Sequence, residues 1–191
     1  AVSGISAQGV GSGALSISTS GTVTGLSLAG IEALNLGTSL TIKTGRVYGG
    51  NIGIQALNAG SGALHITAGG SVYGGFAGIL GQNSGSGLTI TTGSVSGGMV
   101  GIAGISAHGA LNITARGAVT GGYSGIIAQG AGTSMTIKAA DVTGDDFGIQ
   151  AMNYGTGSLT ITTSGTVSGG TAGIVSYAMQ GAPTTLNIGG L

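Results

Sequence analysis

The carboxylates that lie closest together in the sequence are Asp141, Asp145 and Asp146, and Lys138 precedes them. Clustered carboxylates can bind a divalent cation or divide acid and base roles in the hydrolysis of sugars. All three aspartates belong to one short stretch, however, and the repeat described below brings no further carboxylate to the matching positions. We therefore predict no metal site and no catalysis here, and we expect Lys138 and Asp141 to form a surface ion pair of little energetic value.

The remaining ionisable residues also point away from enzymatic chemistry. His65 and His108 have no acid or second histidine near them in sequence, so we expect both on the surface. The chain has no cysteine, which excludes disulfides, thiol chemistry and cysteine zinc sites. Four basic residues, balanced by four acidic ones and scattered along the chain, argue against a nucleic-acid partner. We predict a protein that is not an enzyme and needs no cofactor.

A repeat of about 24 residues must position these side chains. A Leu-x-Ile unit is followed by Val-x-Gly and then by Gly-Ile, and glycine supplies 45 of the 191 residues. Apolar and polar residues alternate within each third of the repeat, which is typical of short strands. The Leu-x-Ile units begin at Leu15, Leu40, Leu64, Leu88, Leu111, Met135, Leu159 and Leu186.

The repeat predicts an all-β fold, a right-handed parallel β-helix of about seven coils with three short strands each. It forms one domain over residues 1–191, which begins and ends part-way through a coil, in partial coils 1–13 and 186–191. The Leu, Ile, Val and Gly-Ile positions should stack as inward columns, with a column of small residues between them. We expect the glycine after each valine to occupy a turn with positive φ.

Asparagine recurs at one turn of the coil, where it tolerates left-handed geometry and its amides can stack. We interpret this column as a structural turn ladder rather than a ligand site. It comprises Asn35, Asn58, Asn83 and Asn153.

Aromatic residues are few, and their positions coincide between coils. Tyr48 and Tyr73 occupy equivalent sites on consecutive coils, and Phe76, Met99 and Tyr123 occupy another equivalent site on three consecutive coils. All five should face outward near a corner. They could stack on one another to stabilise the rod, or form a surface for a partner or a sugar.

Both ends of the predicted solenoid lack a polar or helical cap. Ile5 at one end, and Leu186 with Ile188 at the other, are candidates for end-to-end stacking. Two explanations stay open: the chain is a piece of a longer repeat protein, or it is a subunit that stacks head to tail into filaments.

The coil sequence resembles the β-helical passenger domains of bacterial autotransporters, in particular the Gly/Thr-rich type. Residues 53–62 read GIQALNAGSG and residues 148–153 read GIQAMN, and these segments carry the likeness most clearly. The resemblance implies export to the bacterial cell surface or beyond it, and a role in adhesion or self-association. The sequence has no run of about 18 apolar residues without Gly, Ser or Thr, so we expect no membrane insertion by this segment.

These observations favour a non-enzymatic extracellular rod or adhesin-type passenger. Its partner would be another copy of itself, end to end or side to side, or a ligand on a host or bacterial surface. The alternative is a filament subunit formed by head-to-tail stacking. Less favoured are a polysaccharide-active β-helix enzyme and an ice-binding protein. The ice-binding hypothesis rests on a row of outward threonines such as Thr89 and Thr91. Lys43, Lys138 and His65 interrupt that row.

Overall fold

The computed structural model describes residues 2–179 and 181–189. Within these residues the regular structure consists of strands alone. In chain order they are β1 Ile5–Gly9, β2 Leu15–Ser18, β3 Val23–Gly25, β4 Ala29–Asn35, β5 Leu40–Thr44, β6 Val47–Gly49, β7 Ile52–Asn58, β8 Ala63–Ala68, β9 Val72–Gly74, β10 Ala77–Asn83, β11 Gly87–Thr92, β12 Val95–Gly97, β13 Val100–Ser106, β14 Ala110–Ala115, β15 Val119–Gly121, β16 Ser124–Gly130, β17 Ser134–Ala139, β18 Val142–Gly144, β19 Phe147–Asn153, β20 Leu159–Thr163, β21 Val167–Ser168, β22 Ala172–Ala178 and β23 Thr184–Ile188.

The strands form three parallel sheets, and each strand pairs with its equivalent one coil further along the chain. Sheet A has the order β1-β4-β7-β10-β13-β16-β19-β22. Sheet B runs β2-β5-β8-β11-β14-β17-β20-β23, and the seven-stranded sheet C joins β3, β6, β9, β12, β15, β18 and β21. The predicted β-solenoid with three strands per coil is confirmed. Sheets A and B have eight strands each because the partial coils at the two ends also contribute strands.

The core is built from the inward columns that the alternation predicts. Ile31, Leu64 and Ile102 are fully buried, and so are their equivalents Ile54, Ile79, Leu88 and Ile126. Neighbouring rungs are about 4.8 Å apart, so each aliphatic side chain rests on its equivalents above and below. The small column of sheet A is buried as predicted, and at Gly81 an added Cβ would lie 3.2 Å from the Cδ1 of Ile90. Small residues of sheet A thus leave room for the large residues of sheet B.

The last strand differs from the prediction by two residues. Leu186 was expected to continue the leucine column of Leu159, but it pairs with Ile161, and Thr184 pairs with Leu159. A shift of two residues keeps the same side chains facing inward, so the alternation cannot distinguish the two registers. In the structure the last strand begins at Thr184 rather than Leu186.

The glycine after each valine is required for a reason other than the predicted one. Positive φ occurs, within the described residues, at Gly87, Gly109 and Gly181 and not at these corners. At Gly97 an added Cβ would instead lie less than 3.0 Å from the carbonyl oxygen of Val100, where the chain turns from sheet C into sheet A. The same overlap recurs at the equivalent residues Gly25, Gly49, Gly74, Gly121, Gly144 and Gly169.

Within the described residues, no helix is long and apolar enough to cross a membrane.

Candidate binding surfaces

The predicted asparagines lie at the corner where sheet A turns into sheet B. The Nδ2 atom of Asn35 donates to Oδ1 of Asn58 at 2.8 Å, and Nδ2 of Asn58 donates to Oδ1 of Asn83, also at 2.8 Å. Each amide also donates to the carbonyl oxygen four residues later, as Asn58 does to Gly62 at 3.0 Å. The side chains are buried. The ladder therefore supplies hydrogen bonds to a buried corner, and it offers no opening to a ligand.

The asparagine ladder is not continuous along the rod. Gly9 precedes it, so Oδ1 of Asn35 has no hydrogen-bond partner among the described residues. Ser106 and Gly130 occupy the same column between Asn83 and Asn153. Three asparagines thus form a bonded run, and Asn153 bonds its own corner through the carbonyl oxygen of Gly157.

The aspartates are not assembled into a site. In the part of the chain that the structure describes, no group of three histidine, cysteine or acidic residues is arranged to hold a metal ion. Instead of the expected ion pair with Lys138, Oδ1 of Asp141 accepts a hydrogen bond from the backbone N–H of Thr166 at 2.8 Å. Asp145 and Asp146 lie at the corner between sheets C and A.

The two histidines lie apart on the outside of the rod. His65 points outward from β8, between Thr41 and Thr89 of the neighbouring strands. Nδ1 of His108 lies 2.9 Å from the carbonyl oxygen of Ser84, in the coil before it. This contact ties a turn to its neighbour, and among the described residues neither imidazole belongs to a group that could hold a metal ion.

The predicted aromatic surface lies on sheet C and on the corner that leads into sheet A. Tyr48 and Tyr73 are register partners whose rings stack with centroids 4.9 Å apart and planes 10° apart. Phe76, Met99 and Tyr123 are successive rungs of the corner, since each backbone N–H donates to the carbonyl oxygen of the rung before. We call these five residues the aromatic patch. Their side chains are 38–46% exposed.

One further aromatic residue belongs beside this patch. The ring of Phe147 meets that of Tyr123 edge to face, with centroids 5.5 Å apart. It lies one residue after the corner position, at the first residue of β19, and it is only half buried. The repeat could have revealed it, because Phe147 directly precedes a Gly-Ile unit. The corner residues Phe76, Met99 and Tyr123 each lie two residues before theirs.

The residues predicted for end-to-end stacking lie on the outermost strands. Ile5 is half buried in β1, the edge strand of sheet A. Leu186 is 48% exposed and Ile188 is 38% exposed in β23, the edge strand of sheet B. These three side chains occupy inward columns, and at the edge strand nothing in the described structure covers the outer side of Leu186 or Ile188.

The outer face of sheet A is a surface that the sequence analysis did not identify. Each strand has two outward positions there, and nine of the sixteen carry apolar side chains. The variable positions of the Gly-Ile-x-Ala-x-Asn segment supply them, and reading these positions as columns would have found the face. They are Leu34, Leu57, Leu80, Ala103, Ile105, Ile127, Met152, Val175 and Tyr177.

Comparisons of the chain with models of protein families, with curated proteins and with solved structures give no match.

Proposed function

We propose that this chain is a non-enzymatic structural rod of the bacterial exterior, an adhesin-type autotransporter passenger that holds a binding surface away from the cell. The exposed aromatic patch is the observation that carries the proposal. The residues that could do chemistry are separated, whereas five large side chains on consecutive coils stay exposed. Exposed aromatic groups of this kind are enriched at protein interfaces.

The arrangement of the patch suits contact with a partner. Tyrosine presents an apolar ring and a hydroxyl group, so it can pack and donate a hydrogen bond at the same contact. Tyr48 and Tyr73 are held in parallel by their stacking, and the corner residues are fixed by backbone hydrogen bonds between coils. The stacked tyrosines then lose little side-chain entropy on binding, which favours affinity.

A pair of matched double substitutions tests the proposal. Tyr48→Ser with Tyr73→Ser removes the stacked pair, whereas Tyr154→Ser with Tyr177→Ser removes two exposed tyrosines elsewhere on the rod. We expect the first variant alone to lose adhesion of protein-coated beads to host and bacterial cells, with circular dichroism unchanged in both. Equal adhesion by both variants and the unaltered protein would contradict a role for the patch.

A filament subunit is the second candidate, supported by the exposed inward-column residues of β23. An edge strand with free backbone groups and little charge is a template for pairing with another chain. Leu186→Lys should therefore abolish head-to-tail assembly, whereas Thr185→Lys, at an outward position of the same strand, should leave it intact. Electron microscopy of concentrated protein measures this. Short rods of uniform length in the unaltered protein would exclude the filament.

A further inference from the structure

All four basic residues lie on one flank of the rod, although the sequence scatters them between positions 43 and 138. Lys43 and Lys138 point outward from sheet B, and Arg46 and Arg116 follow β5 and β14 at the corner between sheets B and C. All four are exposed. We call this surface, the outer face of sheet B with its corner to sheet C, the basic flank.

The two lysines of the basic flank belong to the same column. Successive register pairs lead from Lys43 through Thr67, Thr91 and Thr114 to Lys138. The strands that carry these two lysines are four rungs apart, which is a distance of roughly 19 Å along the rod. Three threonine hydroxyls in succession fill the rungs between the two charges.

Arg116 and Lys138 border a shallow open groove at this flank. The groove has a volume of about 330 Å³, near the lower end of the range for small-ligand sites. Thr114, Thr162 and Ser164 also line it and supply hydroxyl groups. Two cations and several hydroxyls therefore face one opening that is wide enough to admit a polar ligand.

The acidic residues leave the basic flank largely without opposing charge. Glu32 points outward from sheet A, where its Oε2 accepts a hydrogen bond from Oγ of Ser3 at 3.2 Å. Asp145 and Asp146 lie at the corner between sheets C and A. Asp141 shares the corner between sheets B and C, where its carboxylate accepts a hydrogen bond from the backbone N–H of Thr166. The flank therefore holds four basic residues and one acidic residue. A chain of zero net charge thus has one flank that is positive.

We propose that the basic flank binds an extended anionic polysaccharide that lies along the axis of the rod. Carboxylate or sulfate groups would pair with the lysines and arginines, and sugar hydroxyls would bond to the threonines between them. Duplex DNA fits less well, because affinity for DNA grows with the number of phosphates neutralised and the basic flank offers four basic residues. The sixteen outward positions of sheet B also contain no Phe, Tyr or Trp ring on which the bases of a single strand could stack.

The test separates the effect of the position of the positive charges from the effect of the net charge of the protein. Lys43→Gln with Lys138→Gln removes two positive charges from the basic flank. A second variant adds Gln8→Lys and Gln82→Lys to those changes; both glutamines are exposed and share one outward column of sheet A. It therefore restores the net charge to zero on a different face. Binding of each protein is measured on immobilised alginate, heparin, neutral dextran and duplex DNA at several salt concentrations.

We expect the unaltered protein to bind alginate or heparin in a salt-dependent manner, and not dextran. Removal of the two lysines should weaken this binding about tenfold, since each exposed ion pair contributes at most a few-fold, and the relocated lysines should not restore it.

Retention on alginate alone would identify carboxylates as the anions, and retention on heparin alone would identify sulfates. Full recovery by the relocated lysines, equal binding to dextran, or tighter binding to DNA would each overturn the proposal. The aromatic patch is intact in every variant, so its adhesion can succeed or fail independently.

Discussion

The outer faces of sheets A and B differ sharply although their strands are built alike. Both sheets have eight parallel strands, and both present inward columns of aliphatic residues to one core. Nine of the sixteen outward positions of sheet A are apolar, whereas sheet B has none. The outward residues of sheet B are Ser16, Ser18, Thr41, Lys43, His65, Thr67, Thr89, Thr91, Asn112, Thr114, Thr136, Lys138, Thr160, Thr162, Thr185 and Asn187.

This difference shows that the inward residues of each strand are set by the core, whereas the outward residues can differ from one sheet to the other. Ile102 in sheet A and Ile113 in sheet B are equally buried, so each sheet contributes an isoleucine column to the one core. Outward positions contact mainly their own column and the solvent. Because scattered apolar residues are ordinary on protein surfaces, the informative feature is their concentration on one face and their absence from the other.

The largest expected effect concerns the corner through which the chain enters sheet A. Gly97→Ala would drive a Cβ into the carbonyl oxygen of Val100, and backbone atoms cannot move aside as a side chain can. We expect the free energy of unfolding to fall by about 3 kcal/mol or more. Gly69→Ala is the matched control at the corner that leaves sheet B, where the nearest atom to the added Cβ is 3.8 Å away. Urea unfolding followed by circular dichroism measures both, and similar losses would mean that the two corners are equally tight.

A smaller loss is expected at the corner that joins the two sheets. Asn58→Ala removes the central member of the bonded asparagine run and leaves the carbonyl oxygen of Gly62 and the amides of Asn35 and Asn83 with fewer partners. Unsatisfied buried groups cost about 1–3 kcal/mol, so we expect a loss of about 2 kcal/mol.

Asn112→Ala provides the control for this substitution on the outer face of sheet B. Its side chain is partly exposed and belongs to the hydroxyl-rich column, so the unfolding free energy should change by less than about 0.5 kcal/mol. Equal losses at Asn58 and Asn112 would show that the buried ladder adds nothing beyond a surface amide.

The sequence predicted the coil and the inward columns well because both follow from alternation. A side chain in a strand faces the side opposite to its neighbours, so each Leu-x-Ile and Gly-Ile unit already indicates its inward residues. The register of β23 could not be obtained in this way. Leu186 aligned with Leu159 and Leu186 aligned with Ile161 satisfy the same alternation, and the structure has the second register.

The surfaces were harder to predict because they depend on residues far apart in the sequence. Lys43 and Lys138 become members of one column only when the three strands between theirs are stacked in register. The corner glycines show a related difficulty. Their repetition marked them as necessary, but the reason at Gly97 is the approach of a carbonyl oxygen, which only the folded corner reveals.

The smallest expected effect on stability comes from exchanging the characters of the two outer faces. Ile105→Thr with Ile127→Thr makes sheet A resemble sheet B, and Thr89→Ile with Thr91→Ile does the reverse. We expect each substitution to change the unfolding free energy by at most about 0.5 kcal/mol, since outward residues add little to the core. Fluorescence of a dye that binds exposed apolar surface should fall in the first variant and rise in the second. If the sheet A variant instead lost more than about 2 kcal/mol, its outer apolar residues would stabilise the fold of a single rod. Their concentration on one face would then give no information about a partner.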